Sequence, residues 1–168
     1  MTTAASQNNS QCVSHFKAVL FLLVIGMAAY LNAVAHPFVH DDVVFIQNNP
    51  TLGDWSGISK IFLRSAEYLG PTAANPYYRP LLDLLYKIQY FFFGLNPHAF
   101  HLFNVIVHIT NGILVYGLGM FLLERRGASL ALAALFLIHP VQTEAVACIA
   151  GVSNLLFSLF CLAGLIFY

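Results

Sequence analysis

Long apolar stretches with brief polar interruptions dominate this chain, and one long polar segment breaks the pattern near its start. Residues 1–16 are rich in Gln, Asn, Ser and Thr and read as a disordered tail. The first apolar run, 17–35, is about the 20 residues needed to cross a bilayer core. Ala33-Val34-Ala35 also fits a signal-peptide cleavage pattern, but little positive charge precedes the run, so a retained span is the preferred reading. A polar loop from 36 to 97 follows, with two surface helices expected inside it. In 54–65, Trp55, Ile58, Ile61 and Phe62 recur at helical spacing and Asp54 is placed as a cap, which suits a helix lying on the membrane surface. A link rich in Gly, Pro, Ala and Asn, 69–76, leads to the second helix, 79–95. There Asp83 and Lys87 interrupt the apolar pattern four residues apart, and an ion pair at mid-bilayer is costly, so an amphipathic or re-entrant helix is preferred to a crossing.

The run 98–123 is the clearest span, ended by Glu124-Arg125-Arg126-Gly127. Paired arginines beside a span favour the cytoplasmic side, which puts the long loop on the opposite face. The next run, 128–138, holds 11 residues before His139-Pro140. At ~1.5 Å per residue it cannot cross, so its polar end must sit below the membrane surface. A final helix, 152–168, returns into the bilayer and the chain stops in its apolar run, so a longer protein with this N-terminal piece is expected. The expected fold is therefore all-α integral membrane: four spans, the last cut short, plus two juxtamembrane helices.

Composition agrees with that pattern. Only 8% of the 168 residues are charged and 59% are apolar, against roughly 25% charged in a soluble domain. Seven Lys plus Arg balance seven Asp plus Glu, so there is no basic footprint for nucleic acid. Cys12, Cys148 and Cys161 are odd in number and lie in or beside apolar stretches, where they read as small core residues rather than a disulfide or metal set.

The proposed topology brings the polar exceptions to one non-cytoplasmic cavity. His40-Asp41-Asp42 follows the first span; paired carboxylates beside a membrane are either solvated caps or a general base or metal pair. Arg79, in Tyr78-Arg79-Pro80-Leu81, stands at a helix start, where a guanidinium can clamp a phosphate or simply anchor the helix by snorkelling. His101, Asn104, His108 and Asn111 share one helix face; such a stripe is helix-helix glue or faces a ligand, and His101 is best placed for the latter. His139 and Glu144 flank the break after Pro140, where freed carbonyls need partners and an acid near membrane depth is a functional candidate. No nucleotide-binding glycine pattern and no G-x-S-x-G occurs, so a lipid-carried donor suits the cavity better than a nucleotide sugar. No metal is assigned, although His40, Asp41 and Asp42 could hold a divalent ion together with His139.

Six short motifs occur in order: Phe38-Val39-His40-Asp41-Asp42, Asn48-Asn49-Pro50, Tyr78-Arg79-Pro80-Leu81, Gly94-Leu95-Asn96-Pro97, Phe100-His101-Leu102-Phe103-Asn104 with His108, and His139-Pro140 with Glu144-Ala145-Val146 before a Gly-led helix. Together they resemble the N-terminal membrane region of the transmembrane and tetratricopeptide-repeat protein O-mannosyltransferases and their bacterial relatives, of the GT-C glycosyltransferase superfamily. The resemblance covers about residues 17–168. It implies transfer of a sugar, typically mannose, from a polyprenyl-phosphate carrier to Ser or Thr of a protein acceptor. It places the site on the periplasmic face of a bacterial inner membrane or the lumenal face of the endoplasmic reticulum. It implies no cofactor. It makes Asp41 or Asp42 the general base, Asp41 preferred, and Arg79 the stabiliser of the leaving phosphate; His40, Tyr78, His101, Asn104, His139 and Glu144 would line the same cavity. The family usually carries Gly-Arg-x-Asp after its Glu-Ala-Val element, and this chain has Gly151-Val152-Ser153-Asn154 instead. A non-catalytic membrane scaffold built on the same fold is the alternative.

Overall fold

The structure is a computed structural model, and it describes residues 2–63 and 79–168, leaving aside the side chains of 2–12, 57, 59, 60 and 63. Tyr78 and the 69–76 link therefore lie outside the described residues. The chain is an all-α integral membrane bundle. Seven α-helices occur among the described residues: α1 (Thr2–Val34), α2 (Ile58–Leu63), α3 (Pro80–Phe93), α4 (Pro97–Leu123), α5 (Arg126–Ile138), α6 (Thr143–Ala147) and α7 (Val152–Phe167). Among the described residues three helical stretches are long and apolar enough to cross a membrane: Val13–Val34, Pro97–Leu123 and Ile149–Phe167. Arg126–Ile138 and Pro140–Ala147, bent by 46° at the break between them, can together form a fourth.

The local chemistry explains where these helices start and stop. Asn96 caps α4 by accepting the His98 N–H at 3.1 Å, and Pro97 takes the first position, where its missing N–H costs nothing. Gly94 ends α3 at φ 59°, a conformation that favours glycine. Asp54 accepts the backbone N–H of Ser56 at 2.9 Å, starting a short 3₁₀ turn, Trp55–Gly57, that runs into α2. The tail expected to be disordered is instead helical from Thr2. No Gly or Pro interrupts residues 2–16, so a helix anchored downstream by packing extends backward through them at one hydrogen bond per residue.

The core forms three clusters in order along α4. Tyr116 packs with Ala18, Leu22, Ala133 and Leu137 at one end. Val105, Val107 and Ile109 pack with Tyr30, Val146 and Leu155 in the middle. Phe100 packs with Ile46, Leu52, Tyr86, Ile149 and Val152 at the other. Polar contacts mark the same two ends. At the first, Arg126 donates to the Ser14 hydroxyl and, at 3.1 Å, to His15 Nε2. That leaves the His15 proton on Nδ1, facing the Tyr116 hydroxyl at 2.8 Å. At the second, His98 Nδ1 donates to the Val34 carbonyl at 2.6 Å. The start of the α1 span, the end of α4 and the start of α5 thus share one end of the bundle. The polar loop, α3 and the 148–154 segment share the other.

Two backbone approaches depend on glycine. A Cβ on Gly151 would lie 2.5 Å from the Ala145 carbonyl oxygen, so only glycine lets α7 turn in so tightly beside α6. A Cβ on Gly112 would meet the Leu137 side chain of α5 at 2.5 Å. One reading of the cysteines changes: Cys161 is exposed on the outer face of α7 rather than in the core, and Cys148 is only half-buried.

Candidate functional site

The two carboxylates that follow α1 part company. His40 adopts φ 47°, and the Asp42 N–H and Val43 N–H bond back to the carbonyls of Val39 and His40, at 2.9 and 3.2 Å. In the turn that results, consecutive side chains point in different directions. Asp41 faces solvent. Asp42 is fully buried. Its Oδ1 accepts the Ala150 N–H at 2.9 Å and the Cys148 thiol at 3.6 Å, and its Oδ2 accepts the Val39 N–H at 3.4 Å. Asp42 therefore ties the loop to the entry of the last span, and its lone pairs are largely used. No hydrogen bond to the Asp41 carboxylate forms among the described residues. Burial, with Asp42 next, pushes the Cys148 thiol above its ordinary range, so it stays a neutral donor.

The stripe on α4 divides in the same way. Asn104 donates its amide to the Cys148 carbonyl at 2.9 Å and to those of Val146 and Ile149 at 3.4 Å each. His108 Nε2 donates to the Leu137 carbonyl at 3.1 Å, and its ring packs against Tyr30 and Phe136 with centroids 5.3 Å away. Asn111 donates to the Leu155 carbonyl at 2.9 Å. All three side chains are buried. Most of these acceptors lie around the break that Pro140 imposes between α5 and α7. In lipid, carbonyls freed by such a break need partners, and α4 supplies them. The amide of Asn104 is thus engaged in holding the broken segment. His101, one turn above, is fully buried with no well-formed hydrogen bond at either ring nitrogen, and it points toward the end of the bundle where Asp42 lies.

Lys87 lies where the surface helix meets the loop. It is buried, and its ammonium donates to the backbone carbonyl of Thr51 and, at 2.8 Å, to that of Asp54. Sequence spacing pointed to Asp83 as its partner; the structure directs it to main-chain oxygens, which fasten α3 under the loop. Burial lowers its pKa, against the pull of Asp54 and Asp83. At 14 residues, ~21 Å of helix, α3 is too short to cross a bilayer alone.

Arg79, exposed at the start of α3, joins two cavities. The larger, about 510 Å³, has Arg79, Ser153 and Asn154 as its polar lining and Leu81, Leu82, Leu156, Phe157 and Phe160 along its apolar part. The smaller, about 10 Å³ and so room for about one water, is lined by Phe45, Arg79, Leu82, Asp83, Tyr86 and Ala150. The Tyr86 hydroxyl is buried without a hydrogen-bond partner, and burial, reinforced by Asp42 and Cys148, raises its pKa far above the ordinary phenol range. Among the residues singled out in the sequence, His40, Asp41, His139 and Glu144 are all exposed. His139 accepts the Val141 N–H at 3.2 Å, which caps the turn after α5. Among the described residues no three of His, Cys, Asp and Glu gather in a group that could hold a metal, so His40, Asp41, Asp42 and His139 do not form one. Asp83, Tyr86, Ser153 and Asn154 were missed as a set: only their common neighbour, Arg79, connects them, and no spacing rule reports a cavity.

Fold and site thus define a multi-pass integral membrane protein with a polar pocket at one end of its bundle. Comparison with known proteins adds a likeness. The chain is 30% identical to protein O-mannosyl-transferase TMTC3 of Mus musculus over 156 residues, 92% of this chain and 17% of the relative. It is 33% identical to TMTC1 of Homo sapiens over 90% of this chain and 18% of the relative. It is 30% identical to protein O-mannosyl-transferase F38B6.6 of Caenorhabditis elegans over 89% of this chain and 22% of the relative. No family model matches the chain, and no solved structure matches it significantly. Over about nine tenths of its length the chain is similar to the protein O-mannosyl-transferases, and it spans about a fifth of the length of those relatives.

Proposed function

We propose that this chain forms the lipid-donor part of a membrane protein O-mannosyltransferase, with a polyprenyl-phosphate sugar bound at Arg79 and a protein Ser or Thr as acceptor. The observation that carries the reading is the larger cavity. A guanidinium, a hydroxyl and a carboxamide line its polar part, and Leu156, Phe157 and Phe160 line an apolar part. A phosphodiester on an isoprenoid chain has the same two-part chemistry. The phosphate meets Arg79, helped by the N-terminus of α3, and the chain lies along α7.

Attack by the acceptor oxygen at the anomeric carbon breaks the bond to the phosphate oxygen. The departing phosphate gains negative charge, which Arg79 stabilises. The acceptor proton goes to a carboxylate, and Asp41 fits this role better than Asp42 because it is open to solvent and keeps its lone pairs free. Asp42 then acts through Cys148 and Ala150, holding the entry of α7 in place. That the similar proteins are protein O-mannosyl-transferases supports mannose and a protein acceptor. The paired arginines 125 and 126, at the opposite end of the bundle, favour a periplasmic or lumenal site. No metal or other cofactor is needed for this scheme.

The test is transfer of mannose from a short-chain polyprenyl-phosphate mannose to a Ser/Thr peptide by the purified protein. Asp41→Asn and Arg79→Gln should each lower turnover by at least tenfold, while a Glu144→Gln protein keeps most of it. Transfer that survives Arg79→Gln refutes the donor site. Transfer that survives Asp41→Asn refutes the base.

A further inference from the structure

The polar residues of α3 face into the protein. Asp83, Tyr86, Lys87 and Tyr90 follow one another at spacings of three, one and three, which puts them on one side of the helix. Tyr86 and Lys87 are buried and the other two are half-buried. The loop covers this side: Lys87 donates to the carbonyls of Thr51 and Asp54, and Tyr86 packs with Ile46 and Leu52. Leu81, Ile88 and Phe92 lie on the opposite side and are exposed, as are Phe91 and Phe93. No polar side chain of α3 is exposed. A helix bordering water does the reverse and turns its polar stripe outward. The exposed aromatics extend onto the loop. Trp55, 39% exposed, sets its ring edge-on to Phe91 with centroids 5.7 Å apart, and Phe91 meets Phe92 in the same way at 5.2 Å.

We propose that this outward face of α3, with Trp55 at its rim, is a lipid-docking surface that sits at the headgroup–acyl boundary of a single leaflet. Spacing in the sequence leaves open whether 79–95 rests on the membrane or dips into it; the inward polar side, roofed by the loop, favours immersion. Two observations choose acyl chains over a protein partner as the occupant. Leu81 shares a groove with Phe157 and Phe160, which are exposed on a helix long and apolar enough to cross a membrane. The outward face of α3 is thus continuous with a face that borders lipid. The ridge also has the make-up of a membrane interface: phenylalanines suited to acyl chains, ended by an indole whose apolar body and N–H tip suit the headgroup level. Neither argument involves the phosphate reading of the groove, so the inference stands apart from it.

Trp55 is the chain's single tryptophan, so its emission reports on the ridge without any substitution. The purified protein is reconstituted in phosphatidylcholine bilayers brominated either just below the headgroup or near the chain ends, with aqueous iodide as the opposing quencher. A position about 5–10 Å into the boundary predicts about twofold quenching of Trp55 by the shallow bromines, less by the deep ones and little by iodide. A second protein, Trp55→Phe with Phe92→Trp, moves the reporter to the outermost side of α3, where 69% exposure leaves room for the larger ring. Deep bromines should quench it more than they quench Trp55. Emission quenched by iodide and blind to bromine would put the face in water and overturn the inference. Emission that neither quencher reaches would mean a protein cover, such as a second copy, and would overturn it as well.

Discussion

Replacing Asn104 by leucine tests the claim that α4 holds a broken membrane segment together. The side chain is buried, with one good hydrogen bond, to the Cys148 carbonyl at 2.9 Å, and two longer ones at 3.4 Å. The Cys148 carbonyl also receives the Gly151 N–H at 3.0 Å, so its loss is partial. The Val146 carbonyl, at the end of α6, relies more on Asn104. A buried bond contributes about 1 kcal/mol net, and an acceptor left bare costs about 1–3 kcal/mol. Interhelical bonds measured in a membrane average about 0.6 kcal/mol, with a maximum near 1.7. Weighing these, Asn104→Leu should cost about 2 kcal/mol. Asn111→Leu removes one bond, to Leu155, whose carbonyl lies inside α7 and keeps its place in that helix's ladder; it should cost about 1 kcal/mol. Reversible unfolding in mixed micelles, followed by circular dichroism, measures both. Equal costs, or an Asn104→Leu protein as stable as wild type, would refute the stitching argument and return Asn104 to the ligand-facing role.

Other consequences are as direct. Gly151→Ala should be worse than Gly112→Ala in the same assay, about 3 against about 1 kcal/mol, because the first meets a backbone carbonyl and the second the end of a leucine that can turn away. Lys87→Met should release the loop from α3, so that a cysteine placed at the buried position 52 reacts with a water-soluble maleimide faster than it does beside Lys87. The Asp83 carboxyl is raised by folding rather than depressed, so the folded state binds more protons between about 4 and 6 and stability falls as pH rises through that window. Asp83 is partly solvated, which limits the effect to about 1 kcal/mol. Asp83→Asn should therefore melt higher than wild type at pH 7.5 and lose that advantage at pH 4. An unchanged difference at the two pH values would show that desolvation does not govern this carboxyl.

Much of this architecture is legible in the sequence because lipid is a simple solvent. Long apolar runs, the Asn96-Pro97 start, the Glu124-Arg125-Arg126 stop and the Pro140 break each have one main structural meaning in it. The Asp54 cap and the short fifth helix follow for the same reason. What the sequence could not convey depends on direction rather than spacing. Asp41 and Asp42 look equivalent on paper, and a left-handed His40 separates them into an exposed and a buried carboxylate. Asp83 and Lys87 look like an ion pair, yet the ammonium turns to main-chain oxygens that no side-chain pattern records. The Asn104–His108–Asn111 face was visible as a stripe; its acceptors, main-chain carbonyls of Leu137, Val146, Cys148, Ile149 and Leu155, were not. The tail before residue 16 reads as unstructured by composition, but its continuity with a packed helix carries it into α1.

The groove at Arg79 is the centre of the account, and photo-crosslinking reaches it most directly. A farnesyl phosphate carrying a photoreactive group at the far end of its chain, irradiated with the protein in nanodiscs, should label the α7 segment around Phe157 and Phe160. Arg79→Gln should abolish that labelling, while a photoreactive farnesol labels α7 weakly and equally in both proteins. Labelling that falls elsewhere in the bundle, or that persists without the arginine, would contradict the assignment of this groove to a lipid-linked phosphate.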